Sequence, residues 1–350
     1  MPRTLLRHCE ESGLAALLGA YHRDSLRYAA VRAARPALGP RLRVIVDLLC
    51  LNESVPTTEA QAALGGSMEV LADAGLCRND GSATVVPEHR LVDHYGQLLF
   101  VGPPAGQIGG YYGADSVGLG RQLLAARGNC LDLFASTGAQ SLLMARGGGD
   151  VTSVELTSDL RPVAALNIAM HGLDDRVTTI WGDATTVSLP DRPFDTVCVN
   201  APLFPNFGVD GLDTGANGGR HGHDLLQAVL PRVRLNTGGR LHSTATMVGD
   251  GDGPHTTWLA DAARRNGWTF DVVVTGVGRL GEGSAFAKDL VTTLAETAGA
   301  TTEDMAETLD RQWKESGVDR VFFCLLTARP AATSGVTVVS RYERGSGWWL

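Results

Sequence analysis

The ten residues Asn129-Cys-Leu-Asp-Leu-Phe-Ala-Ser-Thr-Gly138 constrain this chain more than any others. A short apolar run ended by Ser-Thr-Gly reads as a buried strand breaking into a tight turn, and the amphipathic run Ala139–Arg146 continues it as a helix. Together they form the opening βα unit of a nucleotide-binding sheet. Asp132 sits inside the apolar run, and a second strand, Val151–Val154, ends in Glu155. An acid about twenty residues beyond the first strand is placed to accept from both hydroxyls of a ribose. Each such charge-assisted bond contributes about 1.5–3 kcal/mol, enough to favour a nucleoside over a bare phosphate.

Two further strands follow at the spacing of an open α/β sheet. Val177–Ile180 leads into Gly182-Asp183-Ala184, where Asp183 can accept from an adenine amino group. Phe194–Val199 stops at Asn200-Ala201-Pro202-Leu203-Phe204. All these landmarks fall at the carboxyl ends of successive strands, where ligands of such sheets bind. Later runs extend the sheet: Gly238–Thr244 as a fifth strand, Trp268–Thr275 as a sixth and Arg320–Thr327 as a seventh. The segment Gly276–Ser316 between the last two reads as a long surface loop and a candidate substrate loop through Glu282, and 331–350 as a tail ending Trp348-Trp349-Leu350.

In these features the chain resembles the class I S-adenosylmethionine (SAM)-dependent methyltransferases, and among them the glutamine and amine N-methyltransferases of the HemK/PrmC type, over about residues 105–330. The resemblance implies a seven-stranded Rossmann-like α/β sheet with a smaller, mainly helical N-terminal domain. It places the glycine-rich turn under the methionine part of SAM on Phe134-Ala135-Ser136-Thr137-Gly138, with Asp132 before it. It puts the ribose acid on Glu155 beside Leu156, the adenine side on Asp183 and Ala184, and the acceptor motif Asn-Pro-Pro-Tyr on Asn200-Ala201-Pro202-Leu203. Asn200 thus joins the cofactor and catalytic sets, with Pro202. Gln140 and the segment Tyr111-Tyr112-Gly-Ala-Asp115-Ser116 correspond to positions flanking the cofactor.

Two departures qualify this picture. Phe134 and Ser136 stand where glycines are usual, which predicts a reshaped turn or a shifted cofactor, because side chains disfavour positive φ. The face of Phe134 could instead attract a sulfonium by about 0.5–2 kcal/mol. Ala201 and Leu203 remove a fixed φ and the aromatic ring from the acceptor motif. Phe204 or Phe207 could replace that ring. His221 and His223 could take a proton from the acceptor, and the glycine-rich run Gly208–Gly222 reads as a substrate lid. Two histidines with no third ligand nearby do not make a metal site.

Composition sets the remaining bounds. The net charge of −8 argues against nucleic acid or an anionic membrane as partner, and no apolar run reaches membrane-spanning length. Scattered cysteines without a zinc or disulfide spacing predict free thiols in a reducing cytoplasm. Residues 1–103 read as a winged-helix-like domain with helices over 14–34, 41–51, 57 onward and 67–74 and a turn at Asp80-Gly81. Its expected recognition helix carries Glu69 and Asp73 and no base, so covering the substrate or forming a homodimer is the expected role. Residues 104–330 follow as the catalytic domain after Pro103-Pro104-Ala-Gly.

The leading expectation is transfer of a methyl group to the nitrogen of a small metabolite or amino-acid-like acceptor. A second is an enzyme of this fold that cyclises or cleaves SAM itself, giving azetidine-2-carboxylate and methylthioadenosine. Protein glutamine methylation and a non-catalytic SAM- or DNA-binding role complete the set.

Overall fold

The structure, a computed structural model, describes residues 2–20, 26–102, 110–210, 212 and 215–340. Its principal strands are β1 (Gly128–Leu133), β2 (Gly149–Glu155), β3 (Val177–Trp181), β4 (Phe194–Val199), β5 (Leu235–Asp250), β6 (Trp268–Arg279), β7 (Arg320–Pro330) and β8 (Gly335–Ser340). The helices used below are α1 (Ala114–Leu123), α2 (Ala139–Arg146), α3 (Arg161–His171), α4 (Asp224–Val229), α5 (Thr257–Asn266), α6 (Ala285–Ala298) and α7 (Thr302–Ser316).

Tertiary contacts divide the chain into two units. One comprises Met1–Arg127 with Ala135–Gly182, the other Gly128–Phe134 with Asp183–Leu350. The expected boundary at 103 therefore falls inside the first unit, and the proline linker lies outside the described residues. The reason is packing. Leu5, Leu18, Leu48 and Leu71 of the N-terminal helices share one apolar core with Val163, Leu166 and Met170 of α3. Burying that stripe of α3 stabilises both segments together.

Within the first unit the helices Leu14–Ala20, Leu26–Ala34, Pro40–Leu49, Thr57–Leu64 and Ser67–Asp73 lie where their periodicity predicts. Asp80 fixes the turn, its Oδ1 accepting from the amides of Ser82 (3.0 Å) and Ala83 (2.7 Å). A three-stranded sheet of Val55–Pro56, Ala83–Val85 and Arg78–Asn79 lies in the same unit. The helix Pro2–Glu11 and the hairpin Arg90–His94/Gln97–Val101 were not expected. The second strand of that hairpin is buried at every position, so it lacks the alternation that betrays a half-exposed strand. Strands β2 and β3 run parallel, with α3 between them in the chain.

The second unit carries strands in the order β8-β6-β7-β5-β4-β1. Neighbours β1, β4 and β5 are parallel, whereas β7 runs antiparallel to both β5 and β6. Strands β5, β6 and β7 all extend beyond their expected ends. The expected loop 276–316 is mostly two helices, α6 and α7. Their signals were present: Ser284 accepts from the amide of Ala287 (3.2 Å), Thr301 from that of Asp304 (3.1 Å), and Gly299 ends α6 at φ +65°. The expected tail contributes β8, which pairs with β6, while the terminal tryptophans lie outside the described residues.

Candidate active site

The turn after β1 is built on the end of β2. Ala135 donates its amide to the Val154 carbonyl (3.0 Å), and Ser136 donates its own to Glu155 Oε2 (2.7 Å). The other carboxylate oxygen, Oε1, accepts from the amide of Thr157 (2.8 Å). Glu155 is buried, and two amide donors hold its charge in place while each oxygen keeps a further lone pair. Beside it Leu156 is 54% exposed, an apolar surface in the position assigned to the base.

Phe134 and Ser136 adopt φ of +63° and +54° despite their side chains. The expectation that these residues would forbid the usual conformation is thus corrected. The backbone enters the left-handed region anyway, at about 1–2 kcal/mol per residue. Gly138, at φ +91°, takes the same region without strain and starts α2. Thr137 is buried, and its carbonyl accepts from Asn167 Nδ2 (2.9 Å) of α3, a residue that nothing in the sequence singled out.

A buried polar chain lies in the same unit. Gln140 Nε2 donates to the Ser116 carbonyl (2.8 Å), which leaves its oxygen facing His94 Nε2 (3.4 Å). The histidine therefore donates from Nε2, and its Nδ1 accepts from the Tyr112 hydroxyl (2.8 Å). Tyr111 is 45% exposed and donates its hydroxyl to Asp115 (2.8 Å). His94 is a further residue missed in the sequence, since a lone histidine in a hairpin carries no pattern.

In the second unit Asp132 is fully buried and stands beside Cys198 across the β1–β4 register. Burial first, then the charge and hydrogen bond of Asp132, raise the Cys198 thiol far above its usual value. Asp183 is exposed, and its Oδ1 accepts from both the amide (2.7 Å) and hydroxyl (2.8 Å) of Thr185. Ala184 is buried, its carbonyl taken by Arg232.

Asn200 follows β4 directly. Its amide donates to the Leu133 carbonyl (3.3 Å), and its side-chain oxygen accepts from Thr244 Oγ1 (2.8 Å). Pro202 is half-buried. Phe207 is buried edge-on to Trp313, with ring centroids 5.8 Å apart, so it packs the loop. Phe204, 38% exposed, is the ring available to a ligand. His223 is buried face to face with Trp258, ring centroids 4.3 Å apart, and His221 stacks against His223 at 5.9 Å. Burial lowers His223 to about 4 and lowers His221 as well, so both are neutral near pH 7. Two glycines of the run expected to form a lid, Gly218 and Gly222, are closely packed. A Cβ on Gly218 would lie 2.7 Å from the Leu203 backbone, and one on Gly222 would lie 2.6 Å from the Leu203 carbonyl oxygen. Glu282 is exposed after β6, in a depression with Arg279 and Asp319 that none of the other expected site residues lines. Among the described residues no group of three or more His, Cys, Asp or Glu side chains could hold a metal ion.

No family model matches the chain. The release factor glutamine methyltransferase of Rhodopirellula baltica is 28% identical to it over 124 residues, 32% of this chain and 42% of that protein. The chain thus spans less than half the length of this curated relative. The chain's mixed α/β sheet, mostly parallel with β7 antiparallel between β5 and β6, is like that of Rossmann-like methyltransferases. Solved structures similar to the chain include phosphoethanolamine N-methyltransferase 2 of Haemonchus contortus in complex with SAM, at 16% identity and TM-score 0.35, covering 64% of this chain and 54% of that one. Geranyl diphosphate C-methyltransferase of Streptomyces coelicolor has 12% identity and TM-score 0.35, covering 60% and 73%. The [4+2]-cyclase SpnF has 15% identity and TM-score 0.38, covering 82% and 99%. Within this fold β8 is an addition at the sheet edge beside β6. No helix among the described residues is long and apolar enough to cross a membrane.

Proposed function

We propose that this protein is a SAM-dependent methyltransferase that methylates a nitrogen of a small, amino-acid-like acceptor. The observation that carries the reading is the turn from Phe134 to Gly138, held in a left-handed conformation and tied through the Ser136 amide to buried Glu155. Backbone strain of this kind persists where function requires it. Glu155 holds the ribose hydroxyls, exposed Leu156 with Asp183 and Ala184 faces the adenine, and the turn with Asp132 and Gln140 receives the methionine part. Bound there, SAM supplies an electrophilic methyl group.

Asn200 orients the acceptor nitrogen by accepting a hydrogen bond from its N–H, and Pro202 keeps the following backbone fixed. That would direct the nitrogen lone pair towards the methyl group SAM would supply, and positioning of this kind can supply most of the rate. The nitrogen–carbon bond forms as the carbon–sulfur bond breaks, leaving S-adenosylhomocysteine. Phe204 covers the acceptor, Tyr111, Tyr112 and Asp115 border it, and His223 or His221, neutral at pH 7, receives the released proton. The N-terminal helical region covers the acceptor or joins two copies, which light scattering tests. The free thiols suit a reducing cytoplasm.

The test is incubation of the purified protein with SAM, alone and with a panel of amino acids and simple amines, followed by mass spectrometry. Acceptor-dependent S-adenosylhomocysteine is the expected product. Methylthioadenosine from SAM alone would replace this reading with SAM cyclisation or cleavage.

A further inference from the structure

The acceptor segment lacks the first proline of the motif, Ala201 standing in its place, yet its two ends are held. Both anchors come from one strand. On β5, Thr244 Oγ1 donates to Asn200 Oδ1 at 2.8 Å, and Thr246 Oγ1 donates to the Leu203 carbonyl. Residues two apart on a strand share a face, so β5 presents these two hydroxyls side by side. Its parallel register with β4, Ser243 opposite Val199, brings that face level with the residues that follow β4. Both threonines are buried, where a hydroxyl without a partner costs about 1–3 kcal/mol, so the two bonds are held tightly.

We infer that Thr244 and Thr246 are positioning residues which fix Asn200 and Leu203 for the acceptor, in place of the missing proline ring. Thr244 donates to the Asn200 oxygen and so sets which way the carboxamide faces. Thr246 also lies 3.4 Å from the Gly222 carbonyl, and a Cβ at Gly222 would lie 1.9 Å from the threonine oxygen. The glycine run therefore closes against the same hydroxyl. Ladder bonds bind it from the far side: Phe204 donates to Ala216, Gly218 to Phe204, and Asn206 to Gly219. Rigidity in the acceptor segment is thus supplied by the neighbouring strand. The role assigned to these threonines rests on the methyltransferase reading, whereas the clamp itself does not.

The experiment compares wild type with Thr244→Val, Thr246→Val and the rescue variants Thr244→Ser and Thr246→Ser, all as the full chain. Valine keeps the shape and removes the hydroxyl, and serine restores it. Three quantities are read: SAM affinity by calorimetry, amide hydrogen exchange over residues 203–222, and the nitrogen-15 signal of the Asn200 carboxamide in asparagine-labelled protein. We expect SAM affinity within about twofold of wild type in every variant, since the clamp does not touch the cofactor turn. Thr246→Val should speed exchange of the Phe204 and Gly218 amides about tenfold, and Thr244→Val should move the Asn200 carboxamide signal. Each serine variant should return its signal to the wild-type value. An unmoved carboxamide signal in Thr244→Val, or unchanged exchange in Thr246→Val, overturns the clamp. Wild-type protein that fails to bind SAM instead overturns the cofactor reading, while exchange and the carboxamide signal still decide the clamp.

Discussion

Ser136 stores strain that can be released without touching the Glu155 carboxylate. Its φ of +54° suits glycine, and its amide, which needs no side chain, makes the bond to Glu155. Ser136→Gly should therefore raise the unfolding free energy by about 1 kcal/mol, read as a higher denaturant midpoint. Glu155 behaves in the opposite sense. Replacing it by Gln sets an NH2 group against one of two backbone amides that now donate to it. About a tenfold or greater loss of SAM affinity is expected by calorimetry, since a charge-assisted bond contributes about 1.5–3 kcal/mol. At this scale the sequence announced what has a pattern, such as Glu155 after β2 and Asn200 after β4. It was silent on His94, Asn167, Thr244 and Thr246, because partners distant in sequence decide their roles.

Elements with strong periodic signals, β4 and α2 among them, begin and end where their residues predict. Those that failed did so for identifiable reasons. Helices α6 and α7 were hidden in a segment whose opening glycines dominated the reading, although each helix has a side-chain cap. Thr301→Ala should accordingly lower stability by about 1 kcal/mol, and Thr301→Ser should not, as thermal or urea unfolding would record. Strand β5 was read as ending at Thr244, yet it continues to Asp250 through Ala245, Thr246, Met247 and Val248, all buried. A run buried on both faces has no alternation to mark its length.

For the whole molecule, two buried histidines set the response to acid. His223 and His242 are lowered to about 4, chiefly by burial. Both are neutral in the folded protein and take up protons on unfolding once the pH drops below about 6.5. Their contribution is complete above that value and declines as the pH falls towards 4, by up to about 1.4 kcal/mol per pH unit for each histidine. Urea midpoints measured from pH 7 to 4.5 should fall, and His242→Gln should flatten the curve. Thiol reactivity provides a second global measure. Of the six cysteines only Cys77 is partly exposed, so the native protein should react rapidly with Ellman's reagent at a single thiol, and at all six once unfolded.

The chain passes between its two units three times, at 127/128, 134/135 and 182/183. Neither unit is a continuous stretch of polypeptide, so no single cut or gene boundary can separate them into independently made halves. During synthesis β1 leaves the ribosome well before β4 and β5, with which its own unit is built. A fragment ending near Gly182 would contain every residue of the first unit but carry β1 of the second without the strands it pairs with.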